Sequence, residues 1–345
     1  MVMTNPDAAR LTALVAAFGE RRILVVGDLI ADEFIYGEVS RVSREAPVLI
    51  LKYDATDVVP GGAGNAASNV AALGGKAVLA GMVGADAEGT RLLATFRRSV
   101  DIRQVVRARK YRTPVKTRIL AGGVHSAKQQ VVRIDRETDW PLSDEVGATF
   151  AAKLAPAIGE CDAVLLSDYG SGLVTPDLAL AIRRVIESRT PRRVVPIVVD
   201  SRYRLLDFKG LTACTPNESE VEQALDIVID DDLDMLEQAG RTLLRRTGMQ
   251  AVLITRGSRG MALFRPKQPT LHLPIYGSDE VADVTGAGDT VIATLTTALA
   301  AGATFEEAAQ LANYAGGLVV MKRGTATVSA AELTDAVAAD HGATR

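Results

Sequence analysis

Two glycine-bearing segments carry residues whose types and spacing could do chemistry. In Asp-Val-Thr-Gly-Ala-Gly-Asp-Thr, residues 283–290, Gly286 and Gly288 let the backbone turn tightly and aim its N–H groups at one point. The apolar run 291–300 continues as a helix that stops near Gly302, which puts Asp289 in the first turn. Free amides at a helix N-terminus, with the helix dipole behind them, form an anion site. A carboxylate beside them could take the proton of a hydroxyl set in line with a bound phosphoryl group. On this segment alone, an Asp N-cap after a glycine-rich turn explains the residues equally well. The segment matches neither the Walker pattern nor the spaced glycines of a dinucleotide fingerprint. The second segment, residues 60–75, sets Gly61, Gly62 and Gly64 before a helix bearing Asn65 and Asn69. Glycines there let a polyol approach the backbone, and Asn65 offers hydroxyls both a donor and an acceptor. Alone it reads first as a polar helix start. The two clusters together tip the balance toward a site for phosphate and hydroxyl groups.

Elements of alternating type must position these residues. Short β-branched runs at 23–26, 163–166, 194–199 and 251–255 each end in Gly, Asp or Ser, or lead to one. Near-continuous apolar runs of this length suit strands of a parallel sheet covered on both faces. Helical patterns predict helices over 65–73, 144–158, 176–187, 218–225, 233–247 and 306–314. Strands alternating with helices predict a layered α/β fold, with ligands beyond the carboxyl ends of the strands. Two stretches, 34–60 and 103–136, break the rhythm and predict extra strands in a small lid-like sheet. Such a sheet must cover its apolar face with substrate or with another subunit. Nothing in residues 1–345 marks a linker or an internal repeat, so one domain is expected.

Composition narrows the function classes. The 345 residues are 48% hydrophobic and 23% charged with a net charge of −3, which offers no basic surplus for nucleic acid or an anionic membrane. Cys161 and Cys214 read as buried thiols rather than a disulfide, and His125, His272 and His341 are too scattered for a metal centre. Residues 11–18 read as an amphipathic helix leading to Gly19, not a signal peptide, and no apolar stretch reaches membrane-spanning length. A cytoplasmic location is the expectation.

The two glycine segments, in this order, resemble the signatures of the ribokinase (PfkB) family of carbohydrate kinases, over about residues 23–329. The resemblance implies a three-layer ribokinase-like α/β fold, with a central mostly parallel sheet and a β-sheet lid through which two copies form a homodimer. It implies ATP and Mg²⁺, with Asp289 as general base beside Gly286, Ala287 and Gly288. Residues 25–37 are similar to the family's opening strand, which makes Asp32 a sugar ligand together with Gly61, Gly62 and Asn65. The motif Asn217, Glu218, Ser219, Glu220 resembles the one that organises nucleotide phosphates, with Glu220 acting on Mg²⁺ through water. Residues 254–260 resemble the strand end that holds the nucleotide, implicating Thr255, Arg256 and Gly257, and Asn313 is similar to an adenine-side position.

Within the family, residues 36–52, 132–135, 165–172 and 322–329 resemble the kinases that phosphorylate D-glycero-β-D-manno-heptose 7-phosphate at C1. An anomeric hydroxyl is more acidic than an ordinary alcohol, so its base needs no strongly raised pKa. The substrate's own phosphate would need cations, and Arg41, Lys116, Arg118 and Arg133 are candidates, each equally readable as a solvated charge. Two departures fall where sugar specificity would be set. Asp200-Ser201-Arg202 stands for Asp-Pro-Lys, and Ser43-Arg44-Glu45-Ala46-Pro47 for Ser-Pro-Glu-Ala-Pro. No His-x-Gly-His motif follows the kinase signature, so a nucleotidyltransferase step is expected of another protein. The alternatives are another kinase of the family, acting on a pentose, a hexose phosphate or a nucleoside, and a non-catalytic sugar-binding regulator.

Overall fold

Successive apolar residues here feed two cores at once. Along the strand Arg22–Gly27, Ile23 and Val25 enter one core while Leu24 and Val26 enter the other. Side chains alternate across a strand, so a sheet covered on both faces needs apolar residues at every position. Each fully buried Leu, Ile or Val contributes about 1.5–3 kcal/mol. The structure, a computed structural model, describes residues 7–96, 98–123, 128–138, 144–189, 194–277, 283–322 and 324–343. His125 and Arg323 lie outside the described residues.

Among the described residues the main sheet has nine strands. From one edge they are Leu271–Leu273, Met261–Phe264, Ala251–Thr255, Ala213–Cys214, Ile197–Ser201, Ala163–Asp168, Arg22–Gly27, Lys76–Ala80 and Val100–Asp101. Pairing is parallel from Ala251–Thr255 to the Val100–Asp101 edge and antiparallel over the two strands beyond it. The fold is therefore the ribokinase-like α/β arrangement, a large mostly parallel sheet with a smaller one beside it.

The smaller sheet runs Leu49–Gly62, Leu29–Val42, Val115–Gly122, Gln129–Arg136. Its first strand begins at Leu29, earlier than the expected 34, because residues 29–34 are buried on both faces and show no alternation. The stretch 103–136 supplies lid strands only from Val115 onward. Its earlier strand, Val106–Ala108, pairs with Met82–Gly84 in a separate ribbon. The lid hairpin carries register shifts at Tyr36/Gly37 and Val39/Arg41, and the neighbouring pair has one at Ile119/Leu120. A single residue, Asp28, separates the core strand Arg22–Gly27 from the lid strand Leu29–Val42.

Helices Glu218–Leu225 and Leu233–Thr247 and strand Ala251–Thr255 fall on their expected bounds. The run expected at 194–199 starts its strand at Ile197 and ends at Ser201. Pro196 has no N–H for the ladder, and Val194 is exposed. Helix Ala287–Ala300 is buried from Asp289 to Ala298, which its Ala and Thr side chains permit at close range. Thr294 and Thr297 return their hydroxyls to the backbone carbonyls of Thr290 (2.8 Å) and Ala293 (2.7 Å). Cys161 and Cys214 are buried thiols that are not joined in a disulfide. Among the described residues no helix is long and apolar enough to cross a membrane.

Candidate active site

The two glycine segments meet through their side chains. At Gly62, φ is 57°, and a Cβ there would lie 2.6 Å from the Asp28 carbonyl oxygen; one on Gly61 would lie 2.4 Å from Asp32 Oδ2. The absent side chains let the lid strand fold against Asp32 and start helix Ala63–Ala72. In that helix Asn65 donates from Nδ2 to Asp289 Oδ2 at 2.9 Å. Its amide is aimed by a relay: Thr290 Oγ1 donates to Asn69 Oδ1 at 3.0 Å, and Asn69 Nδ2 donates to Asn65 Oδ1 at 3.1 Å. Gly286 caps helix Ala287–Ala300 at φ 79°, where a Cβ would come 2.4 Å from Asn65 Nδ2. Gly286, Ala287 and Gly288 all line the cavity beside Asp289. Of their three amides, that of Ala287 turns back to the Val284 carbonyl at 3.2 Å.

Asp289 is 3% exposed. Its second oxygen, Oδ1, accepts the Tyr169 hydroxyl at 3.1 Å. Burial pushes its pKa up to about 7. The Asn65 and Tyr169 hydrogen bonds and Lys116 oppose the shift, and the Asp32 charge adds to it. A carboxylate so placed titrates where a general base is most effective.

The cavity, about 520 Å³, extends to either side of this carboxylate. At one end lie Asp32, Lys116, Arg118, Arg133, Tyr169 and Arg202. Arg118 is ion-paired with the buried Asp32, and Arg133 Nε with Asp135 Oδ1 at 2.9 Å. Lys116 Nζ lies 5.2 Å from the Tyr169 ring centroid and the Arg202 guanidinium carbon 5.6 Å. Burial and the Arg202 charge hold the Lys116 pKa below its usual value. Four cations converge here on an acceptor-sized space. Arg41 lies on the exposed outer lid and is not on this wall.

At the other end Asn217, Glu220, Thr255, Gly257 and Asn313 line the wall, with Met261, Ile275, Val320 and Gly316–Gly317 forming an apolar slot. A Cβ on Gly317 would lie 2.1 Å from the Tyr276 carbonyl oxygen, so glycine is what lets the strand exit and helix Phe305–Val320 approach. Asn217 and Glu220 form a reciprocal cap, each side chain accepting the other's N–H at 2.9 Å. Asn313 donates to the Pro274 carbonyl at 2.7 Å. Glu218 and Arg256 do not reach the wall; they pair with each other at 2.7 Å behind it. Ser219 is exposed on the helix and also lies off the wall.

Asp200 and Glu220 face this end together, and both carboxyl groups have raised pKa values. Burial is the main cause in each; for Asp200 the Glu220 and Asp289 charges add to it, with Arg202 opposing. Among the described residues no three His, Cys, Asp or Glu side chains form a direct metal cage. Raised carboxylates beside a phosphate-sized space nevertheless fit a cation that keeps its waters, as Mg²⁺ does. The sequence reading did not single out Tyr169 or Asp200 as site residues. Both stand at strand ends, which is where ligands gather in such sheets.

Comparison with known proteins agrees with this geometry. The sequence pattern of the pfkB family carbohydrate kinases matches residues 20–332. The Bifunctional protein HldE of Trichlorobacter lovleyi is 41% identical over 322 residues, covering 93% of this chain and 63% of that protein. The one from Caulobacter vibrioides is 41% identical over 334 residues, covering 96% of this chain and 66% of that protein. The chain thus spans less than two thirds of these relatives. In fold it is similar to Arabidopsis thaliana ribokinase complexed with ribose and ATP (TM-score 0.70, 19% identity, 92% of this chain and 98% of that one). It is equally similar to Escherichia coli phosphofructokinase-2 (TM-score 0.71, 17% identity, 92% and 98%). The family match runs across both sheets and both ends of the cavity: this chain belongs to the pfkB family of carbohydrate kinases and is a sugar kinase.

Proposed function

We propose that this kinase transfers the γ-phosphoryl group of ATP to the C1 hydroxyl of D-glycero-β-D-manno-heptose 7-phosphate. The observation that carries the reading is the Asp289 carboxylate, set between a wall of four cations and the slot bounded by Asn217, Thr255, Gly257 and Asn313. A base, an anion-binding end and a nucleotide-sized slot in one cavity suit a phosphorylated acceptor better than a free pentose or a nucleoside. Asp289 takes the proton of the C1 hydroxyl, whose oxygen forms the new bond to phosphorus. The β–γ bridging bond breaks, its electrons leave with ADP, and the proton on Asp289 passes to solvent. Asp32 and Gly62 bound the sugar, with Gly61 packed behind Asp32 and Asn65 behind Asp289, and Lys116, Arg118, Arg133 and Arg202 receive its phosphate. Gly286, Ala287 and Gly288 line the cavity at the helix N-terminus beside the transferring group, the Ala287 amide being turned back to Val284. Glu218 and Arg256 support the nucleotide side from behind its wall. Glu220 would hold Mg²⁺ through water, and the ion would neutralise charge on the nucleotide phosphates. The chain works as one kinase unit in the cytoplasm, where ATP is supplied.

An ADP-release assay over heptose 7-phosphate, its dephosphorylated form, fructose 6-phosphate, ribose and adenosine tests the acceptor. Heptose 7-phosphate is expected to exceed the dephosphorylated heptose by about 10²-fold or more in kcat/KM, the scale of a few charge-assisted hydrogen bonds. Turnover of free sugars or nucleosides alone would remove the assignment.

The lid also leaves Val42, Leu49, Tyr53, Val131, Val132 and Ile134 exposed. A strip of this kind fits the lid of a second copy, giving a homodimer. Sedimentation should find a dimer that Val132→Glu shifts toward monomer; a wild-type monomer at all micromolar concentrations would rule the contact out.

A further inference from the structure

Tyr169 touches both functions of the acceptor end. Its hydroxyl donates to Asp289 Oδ1 at 3.1 Å, while Lys116 and Arg202 flank its ring at 5.2 and 5.6 Å. Asn65 holds the other carboxylate oxygen, so the two donors together fix the plane of the carboxylate. The backbone of Tyr169 is held as firmly as its side chain. Asp28 Oδ2 accepts the N–H groups of Tyr169 (2.8 Å) and Ser171 (3.1 Å), and Asp168 Oδ1 accepts that of Gly170 (3.1 Å). Asp168 is itself fixed by Ser201 Oγ at 2.7 Å. Gly170 and Gly172, at φ 89° and 87°, permit the tight course of this loop. A side chain so anchored, between a base and two cations, spans the two ends of any acceptor lying along the wall.

We propose that Tyr169 is a positioning residue that gauges the acceptor. Its hydroxyl orients the Asp289 carboxylate, and its ring sets the distance from that carboxylate to Lys116 and Arg202. The gauging half rests on the proposed phosphorylated acceptor; the orienting half does not. Two variants separate them. Tyr169→Phe keeps the ring and removes the hydroxyl. With heptose 7-phosphate, kcat is expected to fall about 10-fold, near the low end of what positioning contributes, with KM changed less than 2-fold. Tyr169→Ala also removes the ring, and KM for heptose 7-phosphate is expected to rise about 10-fold or more while KM for ATP holds.

A readout that needs no acceptor is the ¹³Cγ titration of Asp289, assigned by its loss in Asp289→Asn. The charged or titratable groups facing Asp289 are Asp32 and Lys116 from the lid, Tyr169 from its loop and Asp200 from the adjoining strand end. Of these, Tyr169→Phe alters only the hydroxyl, which favours the charged carboxylate, so the midpoint should move to higher pH. An unmoved midpoint with wild-type kcat would overturn the orienting role. An unmoved KM in Tyr169→Ala, on whichever sugar phosphate the assay shows to be used, would overturn the gauge. If heptose 7-phosphate is inert while another sugar phosphate is turned over, only the acceptor assignment fails, and the same variants decide the proposal on that acceptor.

Discussion

Asp289→Asn should lower kcat by about 10²–10⁴, the range a positioned general base contributes, while ATP binding measured by calorimetry stays within about 3-fold. The amide matches the carboxylate in shape but accepts at one oxygen only. Asn65 and Tyr169 now donate to both oxygens, so one of them loses its acceptor. The pH profile supplies the sharper test. Burial raises the Asp289 pKa from 3.8 to about 7, so the carboxylate is protonated below that pH and unable to accept a proton. Wild-type kcat/KM should therefore rise through an acid limb near pH 7 and level above it. The residual rate of Asp289→Asn should lack that limb. Near-normal turnover in the variant, or an acid limb that survives the substitution, would show that another group takes the proton.

Gly286→Ala carries the second large effect, and for two separable reasons. At φ 79° an L side chain is strained, at a cost of about 1–2 kcal/mol. Its Cβ would also stand 2.4 Å from Asn65 Nδ2, which must then leave Asp289. Asn65 is held by Asn69, which Thr290 holds in turn, so its displacement breaks the relay rather than one bond. A loss of about 10²-fold in kcat is expected, on the scale of removing one positioned donor from a reaction centre. Gly248→Ala provides the comparison. It has φ 65° at a helix end with nothing within 4 Å of its Cβ, so it bears the backbone strain without the collision. Both variants should melt a little lower than wild type, and only Gly286→Ala should lose turnover. Equal activity in the two would place Asn65 outside the reaction.

The parallel core was legible because burial on both faces leaves an unbroken apolar run, as in 163–166 and 251–255. The same physics hid the start of the lid. Residues 29–34 are covered on both faces and so lack the alternation of a lid edge, while Asp32 and Glu33 also break the apolar run of a core strand. Asp289, Asn65 and Gly286 were legible as types that phosphoryl chemistry uses, and the structure brings all three into contact. Arg256 and Glu218 could not be separated from the cavity by pattern, since only the fold reveals that each satisfies the other's charge. Tyr169 carried a signal only as part of the segment 165–172, which assigned it no role. A tyrosine at a strand exit is ordinary, and where its hydroxyl lands depends on Asp28, 141 positions earlier. Arg202 was legible as the cation standing where the resembled kinases have lysine, and only the fold shows the ring it faces.

The lone residue between core strand and lid has a mechanical consequence. Asp28 gives its N–H to the Ser167 carbonyl at 3.1 Å, receives the Ala63 N–H at 3.0 Å, and grips the Tyr169 turn with its carboxylate. A joint tied in three directions does not bend. The floor under Asp32 must then travel with the body of the enzyme, and flexure is displaced outward to the register breaks at Tyr36/Gly37 and beyond. Bending of the lid against the body is thus expected at the distal register breaks and not at the Asp28 joint.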